Sequence, residues 1–155
     1  MKKNRIICLI LIISIALIIL DQTSKAVIKY NYKKPVETKI VTIELIQNEG
    51  IAFGINAGNS KNIALTLVVL LIVINFVVKE KEKINIPNAI AVSLIFAGGF
   101  SNLIDRIFRG GVIDFIKITK FAIFNIADCY IVLGWVMLVV FLIKELFQKP
   151  VDKNK

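Results

Sequence analysis

Four long apolar runs constrain this chain more than any other feature, because a domain this small has no core large enough to bury them all. They predict four membrane-spanning helices, at about residues 5–25, 62–78, 88–106 and 126–147, within a single integral membrane domain covering 1–155. A hydrophobic fraction of 57% fits that class. The first run, residues 6–20, is apolar except for Ser14 and follows the basic start MKKNR. It has the outline of a secretory leader, but no small-residue cleavage site follows, so it reads as a retained helix. Its fifteen residues span only about 22 Å of a roughly 30 Å hydrocarbon layer, so the helix has to continue through Asp21 toward Lys25. Those two residues share a helix face.

The net charge of +9 has no basic stripe or aromatic-interleaved groove, which excludes nucleic acid as a partner and points to membrane lipids instead. The chain has no histidine, which removes imidazole general bases and the common zinc sites. No cofactor or metal is expected. Cys8 and Cys129 fall at opposite membrane faces on this topology and cannot be bridged. Both are read as small packing residues.

Between the first two helices, at about 35–56, the texture becomes β-rich. Residues 39–47 (KIVTIELIQ) are β-branched with partial alternation, 51–55 (IAFGI) form a second candidate strand, and Asn48, Glu49 and Gly50 read as a turn. A small β element on the membrane surface is expected, with Asn59 or Ser60 capping the second helix and Pro87 in the first turn of the third. The fold class is therefore mainly α, a four-transmembrane-helix bundle with a small β-rich surface element. Lys and Arg divide equally between the two faces, so positive charge alone does not orient the bundle.

Four crossings bring Asp21, Asp105, Asp114 and Asp128 to one membrane face. Gly98, Asn102, Asp105 and Arg106 lie on one side of the third helix, and Gly98 and Gly99 permit close approach of a neighbouring helix or bound chain. Asp114 sits in the loop between the third and fourth helices, bracketed by apolar residues in GVIDFI, and is expected to turn inward. Two carboxylates at a partly desolvated site do not both ionise, so one activates water while the other donates a proton to a leaving amine. Arg106 and Lys25 are placed to balance Asp105 and Asp21. A proton-coupled transporter is the alternative, but the helix centres are clear of acids.

Asp21-Gln22 with Lys25, Asn48 to Phe53 (NEGIAF), GGFSNLIDR at 98–106, Val112 to Phe115 (VIDF) and Phe124 to Asp128 (FNIAD) together resemble the signature blocks of lipoprotein signal peptidase, or signal peptidase II. The resemblance implies an aspartic endopeptidase of the bacterial cytoplasmic membrane that cuts the signal peptide from lipid-modified prolipoproteins just before the diacylglyceryl cysteine. By that resemblance Asp114 and Asp128 are the catalytic pair. Asp21, Lys25, Asn48, Asn102, Asp105, Arg106 and Asn125 bind substrate or support the site. It also implies cytoplasmic termini, an extracytoplasmic active site and β element, no cofactor, and inhibition by globomycin-type cyclic peptides; separately, a monomer is expected. Ser101, where the family favours glycine, and Ile51, where alanine is usual, depart from the pattern.

Overall fold

A computed structural model describes residues 3–50, 58–80, 82–118 and 123–148. The elements in chain order are α1 (Lys3–Asn31), β1 (Val36–Glu37), β2 (Val41–Asn48), α2 (Asn59–Glu80), α3 (Ile86–Arg109), β3 (Val112–Ile118), β4 (Ile123–Phe124) and α4 (Ile126–Gln148). All four helices are long and apolar enough to cross a membrane. The candidate strand at 51–55, and Ile51 with it, lies outside the described residues.

The helix ends follow local chemistry. At α3, the Asn85 side chain accepts the Asn88 N–H at 2.9 Å and Pro87 fills the first turn, where a missing N–H costs nothing. Gly110, at φ 79°, closes the other end in the left-handed conformation. The expected side-chain cap at Asn59 or Ser60 does not form. Instead the Gly58 carbonyl receives the Lys61 and Asn62 N–H groups, and the Asn59 amide donates to the Arg106 carbonyl at 3.0 Å.

Helix α3 is the hub, packing against α1, α2 and α4. Against α4 the backbones nearly touch. A Cβ on Gly98 would collide with the Ala127 carbonyl and stand 2.7 Å from the Ile131 side chain, and one on Gly134 would stand 2.7 Å from the Ala91 carbonyl. Small residues are what permit that approach where lipid offers no hydrophobic drive between helices. Against α1, Ser14 and Ser93, both buried, donate to the Ser93 and Ile10 carbonyls at 3.5 and 3.3 Å. Toward the ends of the helices nearest the chain termini, α1, α2 and α3 border a half-open apolar cleft of about 300 Å³, lined by Ile10, Val77 and Phe96 among others. Cys8 and Cys129 are exposed on the outer faces of their helices, so neither is the packing residue expected.

The region between α3 and α4, expected to be a loop, contains two strands. They complete a four-stranded antiparallel sheet in the order β1-β2-β3-β4. Ile43 pairs with Ile116 but Ile46 pairs with Asp114, so β2 carries one extra residue, a bulge, between them. Without it Asn48 would point to the opposite face from Asp114, because side chains alternate along a strand.

Candidate active site

Asp114 lies on β3, an interior strand of the sheet, rather than in a loop. It is 2% exposed, buried as its apolar bracket predicts. Its two oxygens are held separately: Asn125 Nδ2 donates to Oδ1 at 2.7 Å and Asn48 Nδ2 to Oδ2 at 2.9 Å. Asn48 is itself fixed, its Oδ1 accepting the Gly50 N–H at 2.9 Å in the expected turn. Burial pushes the Asp114 carboxyl up to about 6, and the charge of Asp128 adds to the rise while the two amide donors and Lys25 oppose it.

Asp128 stands in the first turn of α4 and is partly exposed. Asn125 and Asp128 cap each other: the Asp128 N–H donates to Asn125 Oδ1 at 3.0 Å, and the Asn125 N–H donates to Asp128 Oδ2 at 3.1 Å. This reciprocal arrangement satisfies N–H groups that a helix start leaves without partners. The Asp128 carboxylate takes a second donor on Oδ1, Asn102 Nδ2 from α3, at 2.8 Å. Asn125 therefore touches both carboxyl groups, and Asn102 joins them from the side, its Oδ1 accepting from Asn125 at 3.2 Å and from Lys25 at 3.1 Å.

Behind this pair is a buried ionic cluster. Lys25 Nζ lies 2.7 Å from Asp21 and 2.7 Å from Asp105, and all three side chains are at most 1% exposed. Asp21 Oδ1 accepts the Ala127 N–H at 2.9 Å, and its Oδ2 accepts the Ser101 hydroxyl at 2.6 Å. Asp105 receives Gln22 at 3.1 Å, Arg109, and the Ile113 N–H at 3.2 Å. Arg109, not the expected Arg106, is thus the second cation on Asp105. Arg106 makes no ion-pair contact with Asp105 but reaches over the Asn102 and Gly50 carbonyls at 3.5 Å each, where its charge acts on Asp128, Asp114 and, as expected, Asp105.

All nine expected site residues gather at one end of the bundle. Three further contributors were missed. Gln22 was visible only as part of a motif, Arg109 carried no signal beyond its four-residue spacing from Asp105, and Ser101 registered only as a departure. Its hydroxyl bridges Asp21 and Gln22, with Gln22 Nε2 at 2.9 Å. Among the described residues, no three acidic or cysteine side chains gather as a metal ion would need.

Fold and site together define a polytopic membrane protein with two carboxylates, one deeply buried and one partly open, where helices meet a surface sheet. A family profile described as "Signal peptidase (SPase) II" matches residues 13–144. The chain is 39% identical to a lipoprotein signal peptidase of Staphylococcus carnosus, over 92% of this chain and 95% of that one. It is 34% identical to the one from Staphylococcus haemolyticus, over 94% and 97%. A solved bacterial membrane enzyme, determined by the in meso method, superposes with a TM-score of 0.83 at 29% identity, covering 94% of each chain. The chain belongs to the signal peptidase II family, a family of proteases, and is a bacterial membrane protein. The transporter alternative finds no support in these likenesses.

Proposed function

We propose that the protein is an aspartic endopeptidase that removes the signal peptide from diacylglyceryl-modified prolipoproteins, cleaving before the lipidated cysteine, with Asp114 and Asp128 as its catalytic pair. The observation that carries this reading is the coupling of the two carboxyls through one residue, Asn125, which bonds to both. One carboxylate takes a proton from water, and the resulting hydroxide adds to the scissile carbonyl. The other, still protonated, donates to the departing amine as the C–N bond breaks, so the pair ends with its proton exchanged between partners. A raised value at Asp114 supports the sharing of one proton near neutral pH. Asn102, Asn125 and Asn48 orient the pair. Asp21, Lys25 and Asp105 support it from behind, and Arg106 is available to hold substrate carbonyls.

The substrate's acyl chains stay in the bilayer while the bond to be cut is held at its boundary, so remote binding energy is used for positioning. The family resemblance supports cytoplasmic termini, an active site on the extracytoplasmic side, an enzyme without cofactor, and inhibition by globomycin. The deciding experiment is cleavage of a diacylated prolipoprotein in detergent by wild type, Asp114→Asn and Asp128→Asn. Both variants are expected to lose cleavage while keeping the wild-type melting temperature. Full activity in either removes the assignment of the pair.

A further inference from the structure

The end of α1 and the turn after β1 carry positive charge that nothing in the described protein neutralises. Lys29, Lys33, Lys34 and Lys39 are all exposed. The ion pairs among the described residues involve other cations: Lys25, Lys83, Arg109 and Lys117. The one acid in this stretch, Glu37, acts electrostatically on Lys117, which is already paired with Glu44 at 2.6 Å.

Large apolar side chains sit among these lysines. Tyr30 is 90% exposed and Ile40 69%. The turn that presents Lys39 and Ile40 is well defined: Thr38 N–H donates to the Val41 carbonyl at 2.9 Å, and Thr38 Oγ1 accepts the Val41 N–H at 3.0 Å. In water an isoleucine at the tip of a braced turn is a liability. At a bilayer surface, lysine beside isoleucine and tyrosine is the composition that enters the boundary between acyl chains and headgroups. Depth agrees with this. Helix α1 runs on past Asp21 to Asn31, which sets Lys29 about 12 Å beyond Asp21 and about 6 Å beyond Lys25 along the helix axis, on the side away from the hydrocarbon layer.

We propose that Lys29, Lys33, Lys34 and Lys39, with Tyr30 and Ile40, form a binding surface for the phosphates of anionic phospholipids on the membrane face that carries the carboxylate pair. Charge complementarity selects the headgroup, and the exposed apolar residues favour a lipid surface over a soluble polyanion. The contact also reaches the site, because β2 starts at Val41, directly after the turn, and ends at Asn48, whose amide holds Asp114. Lipid bound at one end of β2 steadies the strand that positions Asn48 at the other. The inference rests on the helices spanning a bilayer and is independent of the peptidase chemistry.

The test is retention of phosphatidylglycerol against phosphatidylcholine by the purified full chain in native mass spectrometry. Wild type is compared with Lys33→Gln/Lys34→Gln/Lys39→Gln and with the corresponding triple Arg variant. Wild type is expected to prefer phosphatidylglycerol, the Arg variant to keep that preference, and the Gln variant to lose about fivefold for each lysine removed. All three side chains are exposed, so the melting temperature measured in neutral lipid should not move. Equal preference in wild type and the Gln variant overturns the proposal. So does a Gln variant that retains phosphatidylglycerol but shows a raised KM only for substrates with acidic residues after the cleavage point, since the surface would then be reading polypeptide. Retention is measured without turnover, so loss of the catalytic assignment would leave this result interpretable.

Discussion

Asn125 shows how much one side chain does at this site. Its backbone N–H and side-chain oxygen engage Asp128, while its side-chain amide engages Asp114. Asn48 has a simpler part: one hydrogen bond to Asp114 that favours the ionised carboxylate. Removing that donor disfavours ionisation, so in Asn48→Ala the limb of the pH–rate profile on which activity falls with rising pH is expected to move to higher pH than in wild type. An unchanged limb would mean that Asp114 does not carry the titrating proton. Stability has its own sign. Because Asp114 is raised from 3.8 to about 6, its contribution is full below the lower value and is lost as pH rises through the upper. Asp114 was legible because a carboxylate among valine, isoleucine and phenylalanine has few tolerable places to go. Arg109 was not, because Arg106 and Arg109 are equally basic neighbours on one helix end, and only their orientation about α3 decides which one meets Asp105.

At the scale of elements, the helices announced themselves through length and apolarity, but β3 did not. Residues 112–115 are buried in succession, so the strand lacks the polar alternation that would have marked it, and its identity depends on pairing with β2. The bulge left a faint trace: alternation along VTIELIQN breaks where Leu45 and Ile46 stand together, within the irregular stretch of the pairing. The α3–α4 contact makes a firm prediction. Gly98→Val places methyl groups where the Ala127 backbone and the Ile131 side chain already sit. It is expected to cost about 1–3 kcal/mol or more, as overpacking does. It should also part Asn102 from Asp128, so a lowered melting temperature in detergent and lost cleavage are expected together. A variant that melts like wild type would mean that the helices do not meet at this glycine.

For the molecule as a whole, Lys25 is the tie that joins α1, α3 and, through Asp21 and Ala127, α4. Lys25→Met leaves Asp21 and Asp105 facing each other with a cation only on the far side of Asp105. The expected cost is about 3–5 kcal/mol, the range for breaking a buried pair on one side. Adding Asp105→Asn should recover part of it, which thermal unfolding of the two variants measures; no difference between them would mean that the two groups do not interact. The same cluster bears on how the chain is made. Asp21 and Lys25 neutralise each other within α1, and Asp105 and Arg109 do so within α3, each across a single helical turn. Each segment can therefore leave the translocon with its charges already matched, before the other has been synthesised. If so, α1 expressed alone with Lys25→Ala and Ala26→Lys, which keeps the composition but breaks the four-residue spacing to Asp21, should integrate less efficiently than the native segment, and equal integration would rule out this account of biogenesis.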